Sequence, residues 1–191
     1  MSENYGILGG AFDPIHLGHL TIAQSALEQF ALDKILFVPT FVPPGAHKVI
    51  RTPFEHRCSM INLAIADLER CELSRVEAEI EPPTYTVSML EKLKQQHKDA
   101  AFTLLIGADS LAQIDSWYQP DKIFKLARVA VAGRAGHTHQ SVYPFVRLEM
   151  PEINISATEL RNSIRSGLSV RFLVPDAVIA YIEANRLYCE D

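Results

Sequence analysis

Gly9-Gly10-Ala11-Phe12-Asp13-Pro14-Ile15-His16-Leu17-Gly18-His19-Leu20 is the stretch from which the rest of the chain is read. The apolar run Tyr5 to Leu8 leads straight into it and reads as a buried strand. A helical pattern leaves it, with Leu20, Ala23, Leu27 and Phe30 on one face. The stretch is therefore a glycine-rich strand-to-helix turn with histidines where the helix begins. Such a turn aims main-chain N–H groups and the positive end of the helix dipole outward from the strand end, which suits a phosphate. His16 and His19 are spaced to fall on one side of the first helical turn.

Outward from that turn, strand and helix patterns alternate. Ile35 to Val38 reads as a second strand ending at Pro39, and 40–52 as a loop holding Pro43-Pro44-Gly45 and His47-Lys48. Thr52-Pro53-Phe54-Glu55 predicts a capped helix start, with Thr52 as N-cap, Pro53 first in the helix and Glu55 closing a capping box. That helix is expected to run to about Arg70. Leu73 to Ile80 alternates polar and apolar residues and predicts an edge strand, with Glu77, Glu79 and Glu81 on its solvent face. Thr86 opens a helix with Val87, Leu90 and Leu93 buried, and Phe102 to Ile106 is the most strand-like run.

Downstream come a short helical turn, Trp117-Tyr118, a helix from Pro120 to Ala127, and strands at Val129 to Ala132 and Val146 to Met150. The segment 135–144 reads as a polar loop, His137 and His139 included. A helix opens at Ile155 to Arg161 and stops at Gly167, and the last starts at Pro175-Asp176. The alternation implies one α/β domain over residues 1–191, a Rossmann-like three-layer α/β/α arrangement with a mainly parallel sheet. In that architecture ligands bind beyond the carboxyl ends of the strands. His16, His19, Lys48, Asp109, Arg134 and the Ser156 to Arg161 group all follow predicted strands, and the fold would bring them together.

Composition narrows the partners. A net charge of −5 argues against a general nucleic-acid binder. An anion site must then rest on local cations and helix ends. The 3 cysteines are widely spaced and form no Cys-x-x-Cys pair, which points to free thiols in a reducing cytoplasm. Neither a signal peptide nor a membrane span is expected from the sequence.

Ser156-Ala157-Thr158-Glu159 reads as a capping box. The same helix start offers N–H groups to a triphosphate, to which Thr158 and Arg161 would add a hydroxyl and a cation. Together, Gly-Gly-x-Phe-Asp-Pro-x-His-x-Gly-His and Ile-Ser-x-Thr-x-x-Arg resemble the two signatures of the nicotinate-nucleotide adenylyltransferases. Between them, Pro43-Pro44 with His47-Lys48, Arg57, Tyr85-Thr86, Gly107-Ala108-Asp109 and Trp117-Tyr118 are similar to further family features. Three details depart from the pattern, the first being Ala11 where a threonine is usual. Gly45-Ala46 separates Pro44 from His47, and Ser88-Met89 follows Tyr85-Thr86.

The resemblance implies a reaction of ATP and nicotinate mononucleotide giving diphosphate and nicotinate adenine dinucleotide, with Mg2+, in NAD synthesis. It implies His16, His19, Lys48 and Arg161 at the reacting phosphates. It also implies an ATP site from Gly9, Gly10, Ala11, Phe12, Gly18, Gly107, Asp109, Arg134, Ile155, Ser156 and Thr158. The mononucleotide would meet Lys48, Arg57, Tyr85, Thr86, Asp109, Trp117 and Tyr118, with Trp117 stacking on the pyridine ring. A homo-oligomer is compatible with all of this. Two alternatives stay open, a nicotinamide-mononucleotide or dual-specificity adenylyltransferase and a catalytically silent nucleotide sensor; a phosphopantetheine adenylyltransferase would not be expected to carry Ser-x-Thr-x-x-Arg or Gly107-Ala108-Asp109 with Trp117-Tyr118.

Overall fold

The computed structural model describes residues 3–45, 50–133 and 141–189. Among these residues six strands form one sheet: β1 (Asn4–Gly10), β2 (Lys34–Pro39), β3 (Cys71–Leu73), β4 (Ala101–Gly107), β5 (Arg128–Ala132) and β6 (Val146–Leu148). Their order is β3-β2-β1-β4-β5-β6, and every pairing is parallel. Between the first and second halves the strand order reverses at β1 and β4. That reversal opens a crevice beyond the carboxyl ends of these two strands.

Among the described residues seven α-helices cover the sheet: α1 (Leu17–Gln29), α2 (Phe54–Ile65), α3 (Thr86–Gln96), α4 (Ala108–Ala112), α5 (Pro120–Leu126), α6 (Ala157–Arg165) and α7 (Asp176–Ala184). The period-2 alternation of the strands sorts them onto two faces. Leu8, Phe37, Leu105 and Ala130 point to one core, with Ala26 and Leu27 of α1, Met60 and Ile61 of α2, Leu160 of α6 and Val178 of α7. Ile7, Leu36, Leu104 and Val129 point to the other, with Leu90 and Leu93 of α3, Leu111 of α4 and Ile123 of α5. Each such side chain taken fully from water contributes roughly 1.5–3 kcal/mol, so the two cores fix which face each helix takes.

Several local expectations are corrected. The N-cap of α2 is Pro53, not Thr52, and no side chain caps the helix. Glu55 instead forms an ion pair with Arg75, and the Thr52 main chain turns inward to Asp13. That helix also stops at Ile65 rather than Arg70. The predicted strand at Leu73 to Ile80 is only β3 followed by a 3-10 turn at Val76–Glu79. Glu77 is buried there: its carboxylate accepts the Phe41 N–H at 2.9 Å and lies 2.5 Å from the Thr84 hydroxyl. Its two bonds tie the loop after β2 to the entry of α3, while Glu79 and Glu81 remain exposed. At α6, Ser156 stands at the N-cap but its side chain makes no cap bond. Gly167 ends that region at a φ of +69, a conformation that favours glycine, and the Leu168 N–H closes back on Ser163.

Candidate functional site

His16 is the N-cap of α1, in extended conformation, and its N–H donates to Nδ1 of His19 at 3.2 Å. His19 thus does what glutamate does in a capping box, reaching back to the N-cap amide. With Nδ1 accepting, the neutral His19 ring carries its proton on Nε2, a fixed donor. The ring is held on two more sides: it stacks on His16 at a centroid distance of 3.7 Å and meets the edge of Phe12 at 4.8 Å. Phe12 is buried with a φ of 50, unusual for a bulky residue. Its buried ring props His19, so what the turn presents at Phe12 is main chain.

His16 is buried, and its Nδ1 has no hydrogen-bond partner. A Cβ added at Gly18 would come within 3.1 Å of His16 Cε1 and Nδ1, so Gly18 is what lets this imidazole pack against the helix start. Burial pushes the His16 pKa down to about 4, so the ring is neutral at physiological pH. The unfolded chain takes up the proton near 6.5 whereas the folded chain takes it up only near 4. Acid between those values therefore favours unfolding, and stability present above pH 6.5 falls until about pH 4 by about 3 kcal/mol. Urea melts at pH 7.5 and 4.5 should show that loss in the native chain and a smaller one in His16→Gln. Equal losses would assign the acid sensitivity to other groups.

Asp13 organises the turn. It is 2% exposed; Oδ2 accepts the Arg51 and Thr52 N–H groups at 3.0 and 3.4 Å, and Oδ1 accepts the Tyr188 hydroxyl at 2.7 Å. Burial and the neighbouring Asp13 charge raise the Tyr188 pKa well above its usual value, so the phenol stays a donor. The main-chain carbonyl of Asp13 accepts Nη1 of Arg161 at 2.7 Å, and Nη2 reaches the Thr158 hydroxyl at 3.1 Å. The two distant signatures thus meet. Leu173, after α6, closes the same end by accepting the Leu17 N–H at 2.9 Å. That first amide of α1 is therefore not offered to a ligand, which narrows the simple picture of a free helix end.

Arg57 corrects another expectation. It is 1% exposed, and its guanidinium donates to the carbonyls of Thr52, Ala11 and Thr40 at 3.0, 2.7 and 2.7 Å. It knits the turn after β1 to the loop after β2 and presents no face to a mononucleotide. The buried bonds of Asp13, Tyr188 and Glu77 had no sequence signal beyond the Asp13-Pro14 pair, because each joins segments far apart in the chain.

Gly9, next to last in β1, and Gly107, last in β4, lie at the crevice, and a Cβ built on either meets nothing within 4 Å. Ala11 and Gly10 continue the β1 turn, and the Phe12 ring lies over Gly10. Asp109 sits exposed in the first turn of α4. On the α3 side, Tyr85 is the N-cap with Thr86 following, and its ring lies 4.6 Å from that of Tyr118, which is 52% exposed. Trp117 is half-buried against the second core. Ile155 and Ser156 are half-buried at the start of α6. Lys48, Arg134, His47, His137 and His139 lie outside the described residues. Among the described residues no three His, Cys, Asp or Glu side chains cluster to hold a metal, and no helix is long and apolar enough to cross a membrane.

Comparison with known proteins adds to this geometry. The cytidylyltransferase-like family model matches residues 7–163. A probable nicotinate-nucleotide adenylyltransferase of Lactiplantibacillus plantarum is 38% identical, over 96% of this chain and 87% of its own. One from Thermus thermophilus is 39% identical, over 96% of this chain and 98% of its own. The nicotinic acid mononucleotide adenylyltransferase of Plasmodium falciparum, solved in complex with NaAD, shares the fold at a TM-score of 0.82, with 22% identity and 97% coverage of both chains.

Proposed function

The chain belongs to the nicotinate-nucleotide adenylyltransferase family, among cytidylyltransferase-like proteins, and from that membership we propose how its crevice joins two nucleotides. The reaction is adenylyl transfer from ATP to nicotinate mononucleotide, a step of NAD biosynthesis. A phosphate oxygen of the mononucleotide attacks the α-phosphorus of ATP. The bond from that phosphorus to the bridging oxygen breaks, and diphosphate leaves with the electron pair. The observation that carries the reading is the meeting of Arg161 with the Asp13 carbonyl, which sets both signatures beside the glycine-lined crevice.

The nucleophile is already an anion, so no general base is needed. Positioning alone is worth about 7–11 kcal/mol in such a step. Neutral His16 and the Nε2–H of His19 act as donors to phosphate oxygens rather than as proton carriers, which the low pKa of His16 and the Nδ1 bond of His19 support. Arg161, with Lys48 and Arg134, supplies positive charge, and Thr158, Ser156 and Ile155 line the same helix start. Gly9, Gly10, Ala11, Gly18 and Gly107 let the main chain approach ATP, and Asp109 holds a ribose hydroxyl. Tyr85, Thr86, Trp117 and Tyr118 receive the pyridine nucleotide, and the Tyr85–Tyr118 contact supports an aromatic wall there.

Family members use a divalent metal with ATP, and we assign Mg2+. With no cluster of acidic or histidine ligands among the described residues, it fits as part of the substrate, held by the phosphates and water. We read residues 1–191 as one domain working in the cytoplasm. Incubating the protein with ATP, Mg2+ and each mononucleotide separately, and measuring diphosphate release, tests the assignment. Turnover is expected with nicotinate mononucleotide. Equal turnover with both would remove the nicotinate preference, and ATP binding without turnover would favour a sensor.

A further inference from the structure

The loop that leaves β2 is gripped at a single peptide group. The carbonyl of that group, from Thr40, accepts Nη2 of Arg57 at 2.7 Å, and its N–H, from Phe41, donates to Oε2 of Glu77 at 2.9 Å. Both side chains are buried. A peptide group held at its two ends by opposite charges cannot turn without leaving one of them unpaired, and an unpaired buried charge is costly. Burial lowers the Arg57 pKa, and the charges of Asp13 and Glu77 oppose that shift, so the guanidinium and the Glu77 carboxylate steady each other across the loop.

Glu77 passes the grip on to the next element. The same Oε2 accepts the Thr84 hydroxyl at 2.5 Å, and the Thr84 main-chain N–H donates to the Val42 carbonyl at 2.9 Å. A hydroxyl has one proton to give, and a carboxylate takes it in preference to the Val42 carbonyl 3.0 Å away. Thr84 is buried and stands directly before Tyr85, the N-cap of α3. Residues 40–42 are thus fixed from two sides. Arg57 ties them to the Ala11 carbonyl of the histidine turn at 2.7 Å, and Glu77 with Thr84 ties them to the entry of α3.

We propose that Glu77 and Thr84 are positioning residues for the mononucleotide: through the peptide group that Arg57 holds, they set the first residues of α3 relative to the β1 turn. The proposal rests on the assignment of Tyr85 and Thr86 to the pyridine nucleotide. Neither Glu77 nor Thr84 touches a substrate in it. Their loss acts through Tyr85 and Thr86, so it falls on the mononucleotide, while the β1 turn keeps its own bonds through Asp13 and Arg57 and ATP binding is spared.

Thr84→Val keeps the shape and the main-chain bond to Val42 but removes the hydroxyl, whereas Thr84→Ser keeps the hydroxyl. In steady-state kinetics the Val variant is expected to raise the KM for nicotinate mononucleotide at least fivefold with the KM for ATP within twofold of native. The Ser variant should stay within twofold for both. A mononucleotide KM within twofold of native in Thr84→Val overturns the proposal. So does an equal rise for both substrates, which a general loosening would produce, and so does a Ser variant as impaired as Val. Hydrogen exchange on the native chain tests the same coupling without a variant, since a site positioned by these bonds must in turn steady them. Saturating nicotinate mononucleotide should slow the Phe41 and Thr84 amides at least fivefold, and unchanged exchange at both overturns the proposal. A native chain that turns over neither mononucleotide overturns the reaction and this proposal together; native turnover with an unaffected Val variant overturns the proposal alone.

Discussion

His19→Asn is expected to lower kcat about 10²–10³-fold while leaving the chain folded. The reasoning separates the two ring nitrogens. Nδ1 accepts the N-cap amide of α1, and the stacked His16 and edge-on Phe12 rings keep the imidazole from turning. Nε2 is then the donor nitrogen of the ring, and the proposed reaction directs it to a phosphate oxygen. An asparagine amide reaches the place of Nδ1 and can keep the helix start closed, but nothing in it reaches the place of Nε2. A glutamine amide reaches Nε2 and not Nδ1. If the donor matters in the transition state, Asn should be slow at nearly unchanged KM for ATP, and Gln should recover part of kcat at some loss of thermal stability. Steady-state kinetics with thermal melts on both variants decide it. Wild-type rates in the Asn variant, or equal loss in both tracking a fall in Tm, would make His19 a structural cap.

The capping-box spacing was legible at His16 and His19 only as a pair on one side of a helix; that His19 would play the glutamate's part is a finding of the structure. Where the chain did carry a Thr-x-x-Glu box, at Thr52 and Glu55, tertiary contacts overrode it. Asp13 draws the Thr52 amide inward, and Arg75 takes the Glu55 carboxylate. The core faces were readable because strand alternation and helix spacing are local properties, and Ala23, Leu27, Val87, Leu90 and Leu93 are buried as their periods require. The Leu73 to Ile80 alternation misled because a 3-10 turn buries Val76 and Glu77 side by side. Arg57 had a ligand role only through the family resemblance. Only the folded chain reveals three main-chain carbonyls waiting for it. Tyr188 had no periodicity or motif to mark it, since its one informative contact spans 175 residues.

The glycines at the sheet switch point separate ligand space from fold space, and Gly9→Val should show it most sharply. Gly9 sits in a strand without positive φ, and a Cβ there meets nothing within 4 Å. Valine is favoured in strands, and replacing glycine where the backbone permits reduces the freedom of the unfolded chain, worth about 0.4–1 kcal/mol for the smallest such change. The variant should therefore melt at or slightly above the native temperature. Its side chain would nevertheless occupy the open crevice where ATP is proposed to lie, and ATP affinity should fall at least 100-fold. Gly107→Val, at the end of the neighbouring β4, should behave alike. Gly6→Ala supplies the opposite pole: its Cβ would come within 2.3 Å of Ile35 Cδ1 and 2.9 Å of Leu32 Cδ1, inside the core. It should lower Tm and, in the fraction still folded, bind ATP normally. Thermal melts paired with ATP titration separate the cases. A Gly9→Val protein that binds ATP as the native chain does would mean that the space above β1 is not where the nucleotide sits.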